Sequence, residues 1–313
     1  MASCPDCFSS GLKIRLKESK GVVFMLKKTL LVLFVLLAAL GVSIYFSYTS
    51  LKLIPLFDNH MAKWGIVATV VVALILGAAR GMLKKKNAIQ GDVVTRHGVG
   101  SFISHWATGF GIFALIYSGV MLGFFIMNGK SIWFLPVFAK TLEQVIPALN
   151  VHYFAVLMAL FGGFFFGADY IATRDWKLLV PNMQDIIQGF IGKYFLRRPW
   201  EKEDKYLSSQ KGAFVPYAAI GIVMLITGAI KVAGHVWTGP NGISANTLGW
   251  ATVFHDVFMV FIILYTLVHV GIVVGLREWP AFRSWFTGTM STKFVEHHHP
   301  VWFEDLTTGK NKS

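Results

Sequence analysis

His255 and His269 sit in the stretch from Trp250 to Gly275, which is apolar enough to span a bilayer. Ionisable side chains inside a span are costly and mark function. The two histidines are 14 residues apart, roughly 21 Å of helical rise and almost four turns, so they share one face at two depths. One helix face offering an imidazole near each side of the membrane suits a four-helix protein that holds two stacked haems across a bilayer. Such a protein needs two partner histidines on other spans.

Those partners must come from elements long enough to cross a hydrocarbon core of about 30 Å. Six stretches qualify: 30–48, 64–79, 102–127, 152–172, 214–232 and 250–275, the second being the shortest. With 55% hydrophobic and 14% charged residues in 313, the chain reads as a polytopic all-α membrane protein. Its net charge of +13 is no nucleic-acid signature, because the charge falls in blocks between spans rather than on one solvated face. Of the 29 Lys and Arg residues, 24 precede span one, lie between spans two and three or four and five, or follow span six. The other five are Lys52, Lys63, Lys130, Lys140 and Lys231. By the positive-inside rule both termini are cytoplasmic in a bacterial inner membrane.

With that orientation each histidine acquires a depth. His105 opens span three about one turn inside the cytoplasmic face, and His152 opens span four from the outside. Span six also enters from outside, which makes His255 outer and His269 inner. Matching depths pairs His105 with His269 and His152 with His255. A single intramembrane histidine is more often hydrogen-bonded or pore-facing than liganding, but four that pair by depth point to two bis-histidine sites. Zinc, which favours four clustered N or S ligands, competes poorly with pairs separated by most of the membrane. Gly109, Gly162, Gly163 and Gly167 offer close backbone approach to a flat macrocycle, and equally to a neighbouring helix.

The remaining signals are weaker. His60, His97 and His235 read as solvated loop residues, with Arg96 beside His97 available to a haem propionate. His297, His298 and His299 read as an exposed inner segment, or more sharply as a proton relay or subunit contact. Residues 183–195 carry apolar Ile186, Ile187, Phe190, Ile191, Tyr194 and Phe195 at helical spacing before Arg197 and Arg198, the pattern of an amphipathic helix on the inner interface. Cys4 and Cys7 form C-P-D-C without a following histidine, which argues against covalent haem attachment and, with no further cysteine, against a disulfide framework. The basic flank and apolar run after Met25 read as a signal anchor or a signal peptide; without a clear small-x-small site, an uncleaved span is expected.

From about Arg96 to Leu306 the chain resembles the cytochrome b (gamma) subunit of membrane-bound respiratory formate dehydrogenase. The matching elements are Ser104-His105-Trp106, His152, Lys205-Tyr206, Gln210-Lys211, Thr227-Gly228, the His255 and His269 pair, and His298-His299-Pro300-x-Trp302. The resemblance implies a di-haem cytochrome b bundle of four helices over residues 96–313, preceded by a two-span extension over 1–95. It implies two haem b, on His105 and His269 and on His152 and His255, and menaquinone or ubiquinone accepted near Gln210 and Lys211. It also implies partner subunits: an iron–sulfur (beta) chain and a molybdopterin or tungstopterin catalytic (alpha) chain that oxidises formate. Where the family often has Asn and Gly, this chain has Leu207 and Ser209, so the polar contact to quinone would fall to Ser208 or Ser209. Histidine spacing alone is shared with hydrogenase and thiosulfate-reductase cytochromes. A proton-coupled transporter using intramembrane histidines is the alternative from another class, though broken helices and inverted repeats are not evident.

Overall fold

A computed structural model describes residues 5–50, 60–83, 88–126, 142–198, 200, 202–236, 242–275 and 279–309. Six described helices are long and apolar enough to cross a membrane, the number expected. They are α1 (Pro5–Thr49), α2 (His60–Met82), α3 (Val99–Ile126), α4 (Leu142–Thr173), α5 (Ser208–Val236) and α6 (Ala245–Gly275). The chain is therefore an all-α, multi-pass membrane protein. Large apolar side chains such as Phe34, Ile75, Phe113 and Leu264 are exposed on the outer faces of these helices, as lipid contact requires.

Several helices run beyond their apolar stretches. α4 begins ten residues before His152, which places that histidine well inside the helix rather than at its opening. α5 extends through Lys231 and His235, so neither belongs to a loop. Lys63 lies within α2, while Lys52, Lys130, Lys140 and Cys4 fall outside the described residues. Extension of this kind follows from backbone physics, since a chain leaving the hydrocarbon keeps its hydrogen bonds by staying helical.

α3 and α4 pack along their lengths, and so do α2 and α4. Gly162 serves the first contact, because a Cβ there would fall 2.3 Å from Thr108 Oγ1 and 2.8 Å from the Ser104 carbonyl oxygen. Of the two uses open to Gly162, helix packing is the one realised. A Gly77-x-x-x-Gly81 pair serves the second contact, Gly77 meeting the Phe165 carbonyl and Gly81 the Asp169 carbonyl. Arg80 then donates from Nη1 to Asp169 Oδ1 at 2.8 Å, where Asp169 is only 2% exposed. α5 packs mainly on α6, and α3 touches α6 at few points. The bundle thus consists of a tight α2–α4–α3 layer, with α1 packed on α3 and α4, and an α5–α6 pair.

One end of the bundle carries a small platform. Strands β1 (Ile89–Gln90) and β2 (Val93–Thr95) form a hairpin, and β2 pairs antiparallel with β3 (Thr289–Ser291), giving the order β1-β2-β3. Helices α7 (Trp279–Thr287), α8 (Thr292–His298) and α9 (Pro300–Thr307) surround it. Val94, Met290, Val295 and Trp302 make its buried core. The platform joins the segment before α3 to the segment after α6, so it fixes α3's first turn against α6's last. Gly288 locks the joint. Its φ is +77°, a Cβ there would stand 2.9 Å from the His97 carbonyl oxygen, and its own carbonyl accepts from the amides of Arg96 and His97 at 2.8 and 3.1 Å.

The predicted amphipathic segment is a helix, wound as a π-helix over Asp185–Phe195. Asn182 and Asp185 cap it reciprocally, each side chain accepting from the other's amide at 2.8–3.0 Å. Ile187, Ile191 and Phe195 are exposed, as an interfacial helix needs. The side chain of Tyr194 is outside the described residues. Asp185, Gly189 and Lys193 face instead the segment leading into α5.

Candidate functional site

Depth follows from helix ends. His105 is six residues after the start of α3 and His269 six before the end of α6, both at the platform end. His152 and His255 are each ten residues after the start of α4 and α6, toward the opposite end. The imidazoles of His105 and His269 lie close enough to interact electrostatically, and so do those of His152 and His255. The structure therefore brings together both expected pairs.

The outer pair shows what its rings are prepared to do. Ser118 Oγ donates to the Ala114 carbonyl oxygen at 2.7 Å and stands 2.9 Å from His152 Nδ1. Thr227 Oγ1 donates to the Val223 carbonyl oxygen at 2.7 Å and stands 2.8 Å from His255 Nδ1. A hydroxyl has one proton; with that proton on the hydroxyl's own helix, each Oγ has a lone pair with which to accept from Nδ1–H. In the tautomer that gives Nδ1–H to the hydroxyl, Nε2 is the nitrogen available to a metal, and the hydroxyl is the outer partner that orients the ring. The residue after each hydroxyl is glycine. A Cβ at Gly119 would lie 3.8 Å from His152 Cε1, and one at Gly228 3.5 Å from His255 Cε1. Each outer histidine is seated on a hydroxyl–glycine dipeptide of the adjacent helix, Ser118-Gly119 under α4 and Thr227-Gly228 under α6. Lys231 adds a cation within electrostatic reach of both rings and of Asp256.

His105 is held by rings rather than by a hydroxyl. His105 stacks on Trp285 at 3.9 Å and 15°, and meets Trp106 edge-on at 5.3 Å. Trp106 Nε1 is buried without a hydrogen-bond partner among the described residues. A Cβ at Gly109, Gly163 or Gly167 would meet nothing within 4 Å, so none of these three serves a close helix contact among the described residues.

The residues expected near a quinone are engaged with protein. Gln210 Oε1 accepts from the Leu207 amide and from Arg96 Nη2, both at 3.3 Å, which makes it part of α5's cap. Arg96 also donates to the Lys205 carbonyl oxygen, at 3.3 Å. Lys211 Nζ pairs with Asp185 at 3.2 Å, both nearly buried. Ser208 gives its amide to Glu203 Oε2 at 2.7 Å, and Glu203 pairs with Lys193 at 3.0 Å. Tyr206 bonds to Tyr170 through their hydroxyls, and burial pushes the Tyr206 phenol above its ordinary pKa. In the tail, His297 and His298 are exposed as expected, but His299 is 1% exposed. It donates from Nδ1 to the Asp204 carbonyl oxygen at 2.7 Å, and burial together with nearby Arg96 lowers its pKa to about 4. His97, too, is buried rather than solvated.

The donor set fits two six-coordinate haems: two separate pairs of imidazoles on facing helices, glycine backbone against the rings, and cationic or N–H groups nearby for carboxylates. Among the described residues no cluster of three or more His, Cys, Asp or Glu side chains could hold a metal ion of another kind. Sequence reasoning found the four histidines and Thr227-Gly228 but passed over Ser118-Gly119 and Trp285. The repeat of a hydroxyl–glycine dipeptide on two spans was the available signal for the first. Neither a protein-family model nor a curated protein matches the chain.

Proposed function

We propose that this chain is the membrane-anchoring di-haem cytochrome b subunit of a respiratory formate dehydrogenase, which carries electrons from formate oxidation to the quinone pool. The observation that carries the electron-carrier reading is the matched seating of His152 and His255, whose Nδ1 atoms stand 2.9 and 2.8 Å from a hydroxyl of the adjacent helix. His105 and His269 hold the inner haem, and His152 and His255 the outer. Haems held there would supply one-electron transfer, and imidazoles from both sides would suit them to carry electrons rather than to bind oxygen. The chain's own task is to orient the imidazoles, exclude water between the helices and present the quinone site at the platform end. That end is cytoplasmic, which is where quinone reduction takes its protons. Menaquinone or ubiquinone is accepted beside His269, where the segment of Tyr206, Gln210 and Lys211 leads into α5. The assignment to formate rests on the resemblance of Gln210-Lys211 and His298-His299-Pro300-x-Trp302; it brings with it an iron–sulfur subunit and a molybdopterin or tungstopterin subunit outside.

The test is a dithionite-reduced minus oxidised spectrum of the purified chain with haem quantified as pyridine haemochrome. Two b-type haems per chain are expected. His105→Ala and His269→Ala should each leave only the outer haem, and His152→Ala and His255→Ala only the inner. A folded preparation without haem removes the proposal. Copurification with a hydrogen-oxidising rather than formate-oxidising enzyme would replace the donor.

A further inference from the structure

Trp285 stands between two histidines. Its indole stacks on His105 at 3.9 Å and 15° on one side and on His97 at 3.9 Å and 18° on the other. The column crosses three separate segments: His97 precedes α3, His105 lies in α3's second turn, and Trp285 belongs to α7, beyond the end of α6. Among the described residues no hydroxyl bonds the His105 ring as Ser118 bonds that of His152, and α3 itself offers the ring only the edge of Trp106. The stack fixes the ring's rotation instead. Trp285 lies against the ring's face, and Trp106 meets it edge-on at 78°. The base of the column is fixed in turn, since His97 gives its amide to Gly288, three residues after Trp285.

An axial imidazole interacts with the iron d orbitals through its π system, so the ring's rotation about the iron–nitrogen axis enters the electronic structure of the haem. Resting on the reading that His105 ligates the inner haem, we propose that Trp285, clamped by His97, is a positioning residue that sets the imidazole plane of His105. The outer pair achieves the same end with Nδ1 hydrogen bonds. The two haems of this chain thus have rings oriented by different chemistry, aromatic stacking at the platform end and hydroxyl acceptors at the other.

The test is low-temperature electron paramagnetic resonance of the oxidised full-length chain, with haem counted beforehand. The wild-type count tests the haem reading by itself, and the line lost in His269→Ala identifies the inner haem. In Trp285→Leu the inner low-field line should shift or broaden while the outer line stays in place. Trp285→Phe, which keeps a stacking ring, should restore the wild-type position. An unmoved inner line in a Trp285→Leu protein retaining two haems overturns the proposal, as does a Phe variant displaced as far as the Leu variant. Should Trp285→Leu lose the inner haem, the Phe variant decides: a wild-type inner line supports the proposal, and haem loss there overturns it.

Discussion

A hydroxyl in a membrane span usually satisfies itself by bonding back to its own helix, and Ser118 and Thr227 do so while keeping a lone pair for a neighbour. That second use separates them from ordinary span serines and threonines. Ser118→Ala and Thr227→Val should leave the bundle folded but weaken retention of the haem proposed at His152 and His255 by about tenfold, the lower end for loss of an outer-shell partner. Competition for haem by an apo-globin, followed as loss of the outer spectral component, measures this. An unchanged rate would reduce the dipeptide seat to packing. Gly228 belongs to the same seat: with 3.5 Å between an added Cβ and His255 Cε1, Gly228→Ala should be tolerated, whereas Gly228→Leu should displace the ring and release that haem. At this scale the histidines were legible because ionisable groups in spans are rare. Ser118 was not, because a serine's second bond depends on which helix lies opposite.

Among elements, α2 is joined to α4 by close backbone approach at Gly77 and Gly81 and by the Arg80–Asp169 pair. Arg80 passes beside the start of α3, where a Cβ at Gly100 would lie 2.5 Å from its Nε. Removing the guanidinium strands a buried carboxylate, so Arg80→Ala should cost roughly 3 kcal/mol, and Arg80→Ala with Asp169→Ala should recover most of it. Thermal unfolding of the two variants in one detergent provides the comparison; equal losses would deny the coupling. The platform has its own weak point in His299. Its pKa is lowered to about 4 by burial and Arg96, against an ordinary 6.5, so the folded form stays neutral where the unfolded chain takes up a proton. Stability is whole above about pH 6.5 and falls by about 1.4 kcal/mol per unit as the pH drops toward 4. Fluorescence of Trp302, whose ring is 5.9 Å from His299, reports the loss, and His299→Asn should flatten that pH dependence. The sequence placed His299 with two exposed neighbours; its burial depends on the 203–208 segment folding over it, a contact between residues almost a hundred apart.

For the whole molecule, the layer α2–α4–α3 is closely packed while the α5–α6 pair meets α3 sparsely. Two of the proposed ligands, His105 and His152, belong to the first body, and His255 and His269 to the second. Ligation of the proposed haems across that boundary would therefore tie the bodies together. Haem depletion should raise amide hydrogen exchange in α5 and α6 more than in α3 and α4, since a ligand bound only by the native state stabilises what it bridges. Uniform protection loss by mass spectrometry would argue against a bridging role.

Span number and the all-α class were determined by the sequence, because apolar length is a local quantity, whereas His152, expected at the opening of its span, lies ten residues into α4. Which hydroxyl serves which imidazole, the stacking of Trp285, the burial of His299 and the commitment of Gln210 and Lys211 to protein partners were decided only by tertiary structure. Each of these joins residues from different helices or from the two ends of the chain. Helix rotation and the small sheet bring them together, and no pattern along one segment specifies that rotation.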